Sequence, residues 1–215
     1  MSKEEKVIRY FILCNKLKEV IRKIWISWKL DRKRLESVAE HVYSVQNLAL
    51  MMYIQYNYDI DMEKVAMMLA IHEIGETVIG DINPFEMSKE EKTRLEHEAV
   101  HNILKEFDSE DGYIEKLFLE FEEQKSKEAK FAFLCDKLEC DLQAKLYGDE
   151  GCADLNHQEG NNIVNVPVIK ELIDSGNTFG ELCIKYSPGS YPYDENFLSV
   201  SNYALTHKLR KNNSK

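Results

Sequence analysis

AIHEIGETVIGDINP, residues 70–84, continues an apolar run that starts at Val65 and is broken by two adjacent ligand-type side chains, His72 and Glu73. Val65, Met68, Leu69, His72, Glu76 and Ile79 recur at steps of three and four, which places them on one face of a helix. Asp61 suits the cap that starts this helix, Gly80 suits the left-handed residue that ends it, and Asn83-Pro84 stops any continuation. A buried acid is costly unless paired or metal-bound, so a His-Glu pair on an inward face calls for a partner.

Two further segments supply partners of the right chemistry. In RLESVAEHVYSV (34–45), Ser37 and Glu40 form a capping box, and Val38, Val45, Leu48, Ala49 and Met52 mark a buried stripe that also carries His41. In FLCDKLECDLQAKLY (133–147), Asp136 shares one side with Ala129, Ala132, Phe133 and Cys140, on a helix capped by Ser126 and stopped at Gly148. Imidazole and carboxylate are ligands for first-row divalent ions, and convergence of three helices on one ion is the economical account of these residues. The competing account is a buried ion-pair network through Lys137 or Arg94.

Helical signals dominate the rest of the chain, which holds 4 prolines and 9 glycines in 215 residues. Val7, Phe11, Cys14, Leu17 and Ile21 predict a helix over about 5–23, and a capping box of Ser88 with Glu91 opens one through Leu95, Ala99, Ile103 and Phe107. A shorter helix is expected at about 112–124. Residues 149–165 read as a polar surface loop, Pro167 as the first position of a helix to about 175, and 178–186 as a last short helix before a turn in SPGSYPYDENF. The charged terminus KLRKNNSK reads as frayed. His97 and His101 stand one turn apart among charged neighbours and read as a solvated face. The whole is an all-α protein, with a helical core over 1–150 and a loop plus C-terminal helices over 151–215 packed on it.

Bulk properties narrow the partners. A formal net charge of -10 disfavours a long nucleic acid, which needs a basic face, while a small phosphorylated ligand held by local cations is allowed. No stretch has the roughly 18 consecutive apolar residues of a membrane span, and the first twenty residues, with charges scattered through them, do not read as a signal peptide. Five cysteines without a C-x-x-C pair suit reduced thiols in the cytoplasm, and exposed apolar residues in the second half would suit a homodimer face.

ESVAEHVYS (36–44), AIHEIGETVIGDINP, SKEEKTRLEHEAV (88–100) and AKFAFLCDKLECDLQA (129–144) resemble the HD-domain metal-dependent phosphohydrolases, and within them the YfbR-like 5'-deoxynucleotidase branch, over about residues 15–150. That resemblance implies a single HD-domain helical bundle and a divalent ion (Co, Mn, Mg, Zn or Fe) held by His41, His72, Glu73 and Asp136. It implies catalytic work by Glu76 and Asp81, on the 5'-phosphate of a (deoxy)nucleoside monophosphate. Where the family has His-Asp this chain has His-Glu, so the carboxylate stands one methylene further out. The family also places an Arg near a Trp before the first histidine; IRKIWISWKLDRKRLES (21–37) offers Arg22 for the phosphate and Trp25 for the sugar or base, against a plainer reading in which the tryptophans anchor the core. The alternatives are a catalytically weak nucleotide- or metal-binding protein, or a phosphodiesterase or nucleoside triphosphate hydrolase on the same scaffold.

Overall fold

A computed structural model describes residues 1–83, 85 and 87–210; Pro84 and the last five residues, on which two of the expectations above fall, lie outside them. Among the described residues there is no β-strand, only an isolated antiparallel bridge between Ile21 and Ser37, and the fold is all-α. The chain divides into two compact units, residues 1–23 with 36–133, and residues 24–35 with 134 onward.

In the first unit, α1 (Lys3–Asn15) is followed by a 3₁₀ turn at Lys16–Lys18, then α3 (Val38–Tyr56), α4 (Met62–Ile71), α5 (Glu76–Ile79), α6 (Lys89–Phe107) and α7 (Tyr113–Glu123); a short α2 (Lys23–Ser27), which passes into the second unit, comes in the chain between the 3₁₀ turn and α3. The expected capping box is present: Glu40 N–H donates to Ser37 Oγ at 3.3 Å and Ser37 N–H to Glu40 Oε2 at 2.9 Å, which puts His41 in the first turns of α3. Ser88 Oγ accepts from Glu91 N–H at 3.2 Å and starts α6. Val45, Ala49 and Met52 of α3 meet Val65, Met68 and Leu69 of α4 in a core to which Val100 and Leu104 of α6 and Phe118 and Phe121 of α7 contribute.

The N-terminal helix departs from its expectation. It ends at Asn15 and has no buried residue: Val7 and Phe11 are 67% and 62% exposed, and α1 is held to α6 through the edge of Tyr10 on Phe107 (centroids 5.4 Å). The cause is nonlocal. Val38 N–H donates to Val20 O at 2.8 Å and Arg22 N–H to Glu36 O at 3.0 Å, an extended pairing that no helical repeat announces.

In the second unit the long helix α8 (Lys127–Glu150), which begins in the first, is followed by a 3₁₀ turn (Asn162–Asn165), α9 (Pro167–Asp174), α10 (Phe179–Ser190) and α11 (Glu195–Thr206). Three expectations shift here. Gly148 is inside α8 rather than at its end, because a Cβ at Gly148 would stand 2.8 Å from the Gly180 backbone nitrogen: the residue is small so that α10 can approach. The helix expected at 178–186 runs through Pro188 to Ser190. The segment read as a turn contains α11, capped by Asp194, whose carboxylate accepts from the N–H groups of Asn196 and Phe197.

A buried polar knot ties this unit. Ser187 Oγ and Tyr193 OH donate to the two oxygens of Asp141 at 2.6 and 3.0 Å, yet burial pushes the Asp141 carboxyl up to about 7. The unfolded chain loses that proton near about pH 4, so between there and 7 the folded state holds the extra proton. Stability from this group is therefore full at low pH, falls as pH rises through that window and levels off above it. Asp141→Asn, which stays neutral, is expected to flatten the fall in melting temperature between about pH 4 and 7, a difference of the order of 4 kcal/mol across the window. Parallel wild-type and variant curves would show that Asp141 ionises normally.

Candidate metal centre

The chain changes pitch where the ligands stand. α4 ends at Ile71 with His72 as its cap, and the next residues are held by i to i+3 bonds: Ile74 N–H to Ile71 O at 2.9 Å, Glu76 N–H to Glu73 O at 3.1 Å, Thr77 N–H to Ile74 O at 3.2 Å. The single helix expected from Asp61 to Ile79 is thus two helices joined by a tighter 3₁₀-like stretch at His72–Gly75, a local overwinding common at functional sites. Gly75 eases the fit: a Cβ there would stand 3.3 Å from Val100 Cγ2 and 3.6 Å from Glu96 O, so a larger residue would press on the Val100 side chain where the turn sits against α6.

Within the first unit the structure brings His41, His72 and Glu73 together, with one donor atom of each within 4.8 Å of the others. Glu73 Oε1 is 3.8 Å from Nε2 of His41 and 3.8 Å from Nε2 of His72, midway between the rings, whose centroids are 5.6 Å apart. The extra methylene of Glu73 therefore does not carry the carboxylate out of reach of either imidazole. His72 Nδ1 lies 2.9 Å from Leu69 O. A carbonyl only accepts, so Nδ1 carries a proton and donates it, which leaves Nε2 as the nitrogen able to ligate a metal. His41 is fully buried and Phe121 packs on His72 at 5.4 Å. Two imidazole nitrogens and a carboxylate oxygen are a donor set suited to a first-row divalent ion, and they fit one here.

One cation of this neighbourhood is Arg22. The pairing of residues 20–22 with 36–38 sets its backbone, and its Nη1 reaches Glu73 Oε1 at 3.3 Å. Glu76, at the start of α5, is 3% exposed, and its Oε2 is buried without a hydrogen-bond partner. Burial first, then the charges of Glu73 and Asp81, push its carboxyl well above the ordinary range, while Arg22 and Lys92 pull the other way. Asp81 follows Gly80, whose φ of +71° turns the chain out of α5, and its Oδ2 accepts from Lys23 N–H at 2.5 Å. Lys92 was not among the residues singled out from sequence; its i, i+4 spacing from Glu96 is readable there, its reach to Glu76 is not.

The second unit holds two of the expected site residues, Asp136 and Trp25. Asp136 lies on α8 three residues past Phe133, in the second unit, where it is buried and ion-paired with Lys137 Nζ at 2.7 Å. Arg94, the other cation of the network weighed against a metal, is exposed and pairs with Glu91 and Glu98. Trp25, expected to touch a sugar or base, is 1% exposed with its edge on the Tyr147 ring (centroids 5.3 Å). Its indole fills the core of the second unit, so its surface is spent on packing rather than offered to a ligand. His101 pairs with Glu115 at 2.8 Å and His97 lies 4.0 Å from Glu122, each facing an acid of α7.

Imidazoles and an acid aimed inward at one point from helices make a divalent-metal site, and a buried carboxyl beside it suits such a site to hydrolysis. The HD domain family model matches residues 14–170, and the chain belongs to that family. It is 32% identical over 158 residues, 72% of each chain, to the 5'-deoxynucleotidase HDDC2 of Homo sapiens. It is 31% identical over 147 residues, 65% of this chain and 76% of the other, to the protein of the same name from Dictyostelium discoideum. Among solved structures, a predicted metal-dependent phosphohydrolase from Magnetospirillum magnetotacticum shares the fold at a TM-score of 0.59, with 20% identity, covering 95% of this chain and 96% of that one.

Proposed function

We propose that this protein is a metal-dependent phosphomonoesterase that hydrolyses the 5'-phosphate of deoxynucleoside monophosphates. The observation that carries the reading is the buried, unpartnered Oε2 of Glu76 beside the His41, His72 and Glu73 donors. Identity with the 5'-deoxynucleotidases over about two thirds of the chain supports the substrate class.

His41, His72 and Glu73 would hold the ion through Nε2, Nε2 and Oε1, and Asp136 is taken as the fourth donor on the sequence pattern behind the family resemblance. A divalent cation bound there polarises a phosphate ester and lowers the pKa of water. Glu76 takes the proton of the attacking water: a carboxylate held in an apolar, acid-rich setting binds a proton more readily than one in solvent, which is what a general base near neutral pH needs. As the water oxygen bonds to phosphorus, the bond to the 5'-oxygen breaks and that oxygen leaves as the nucleoside alcohol, taking a proton from solvent, while Glu76 later returns its own to solvent. Arg22 balances charge on the phosphate oxygens. Asp81, whose Oδ2 is held by the Lys23 N–H, keeps a second carboxylate oxygen for a sugar hydroxyl.

Phosphate release from a panel of nucleotides with cobalt, manganese, magnesium or zinc, alongside elemental analysis, tests the reading. Release from 2'-deoxynucleoside 5'-monophosphates and not from 3'-monophosphates is expected. Nucleotide binding without turnover under every metal would make it a binding protein, and turnover confined to triphosphates or cyclic dinucleotides would make it a different hydrolase. Among the described residues no helix is long and apolar enough to cross a membrane. The five cysteines, all free, suit the reducing, cytoplasmic setting proposed here.

A further inference from the structure

Acids crowd the candidate centre. Glu76 feels Glu73 and Asp81, and Glu96, half-buried on α6, feels Glu73 and Glu122. A phosphate dianion entering this space needs positive charge beyond that of the ion. Arg22 supplies some, but its guanidinium is bonded to Glu73, its side chain is 11% exposed, and its backbone is fixed by the pairing with Glu36.

The other cation is Lys92. Gly75 seats α6 against the ligand-bearing turn through Glu96 and Val100, and Lys92 stands one helical turn before Glu96, its Nζ 3.3 Å from Glu96 Oε1. α6 packs on α5, which begins at Glu76, and the Lys92 charge acts on both Glu96 and Glu76, whereas Arg94 on the same helix is exposed and pairs with Glu91 and Glu98. Its side chain is 27% exposed, and an ammonium on a four-carbon stem can turn from one anion to another without moving the backbone. We infer that Lys92 contacts the substrate phosphate, giving up its ion pair with Glu96 for one with the incoming dianion. The inference rests on the phosphomonoesterase reading above and adds a residue to its binding machinery.

The test compares two variants that break the same ion pair. Calorimetric titration of the metal-loaded protein with inorganic phosphate, which involves no turnover, is run on wild type, Lys92→Ala and Glu96→Gln, each with its metal content measured. If Lys92 touches phosphate, Lys92→Ala weakens phosphate binding about tenfold or more, as loss of a charge-assisted contact should. Glu96→Gln then binds phosphate at least as tightly as wild type, and all three proteins carry the same metal. In turnover assays the Lys92→Ala defect appears chiefly in KM. Equal weakening in both variants would reduce the pair to a structural one, and unchanged affinity in Lys92→Ala, or a wild type that does not bind phosphate, would overturn the inference. A wild type that binds phosphate through Lys92 yet hydrolyses no monophosphate would leave the contact standing and overturn the reaction.

Discussion

Glu76→Gln is expected to lower phosphate release about a hundredfold or more while leaving bound metal unchanged, the signature of a lost general base. Glutamine keeps the length and shape of the side chain, so the packing around position 76 survives, but it cannot take a proton. The same change is expected to leave the melting temperature equal or higher. The native carboxyl is deeply buried, repelled by Glu73 and Asp81, and has one oxygen without a partner, an arrangement that costs the fold whenever it is ionised. Activity lost together with thermal stability gained would mark strain kept at the site for chemistry. If metal and activity fell together, Glu76 would be a ligand, and the proton would have to go elsewhere.

Local signals in the sequence survive contact with the structure better than nonlocal ones. Ser37 with Glu40, Ser88 with Glu91 and Ser126 with Ala129 each settle a helix start through a hydrogen bond spanning three residues, and all three lie where the spacing places them. The inward placement of His41 and His72 follows from the same periodicity, because a helix face is a property of a few consecutive turns. What periodicity could not carry is the overwound stretch at His72–Gly75, since it depends on how closely α6 approaches Gly75. Nor could it carry the end of α1, decided by the pairing of Val20 and Arg22 with Val38 and Glu36. Trp25 shows the same limit from the side of function: a tryptophan beside an arginine looks alike whether its indole meets a ligand or, as here, the ring of Tyr147. Helix α11 was readable in principle. Asp194 caps it, and Phe197, Ser201 and Ala204 repeat at the spacing of a buried stripe, but Pro188, Gly189 and Pro192 upstream give a stronger turn signal.

Gly148 brings that distinction to a measurable sign. Were Gly148 merely an interior residue on an open helix face, Gly148→Ala would be stabilising, since alanine gains about 1 kcal/mol over glycine within a helix. The structure requires the opposite. α8 continues to Glu150, and Gly151, at φ +76°, takes the left-handed position past its end. A methyl group at 148 would meet the Gly180 nitrogen at 2.8 Å and its Cα at 3.1 Å, and one at 180 would meet Lys145 Cα at 2.9 Å. Both obstacles are backbone, which cannot swing aside as a side-chain tip does, so α8 and α10 must separate. Overpacking of this kind costs about 3 kcal/mol, and less the alanine gain it leaves about 2 kcal/mol, or about 4–8 °C in melting temperature for a chain of this length. Gly180→Ala is expected to cost a similar amount, and the double variant less than the sum, because helices already forced apart by one methyl group make room for the other. Additive losses would mean that each glycine answers to a different constraint, and a stabilised Gly148→Ala would mean that the two helices do not touch there.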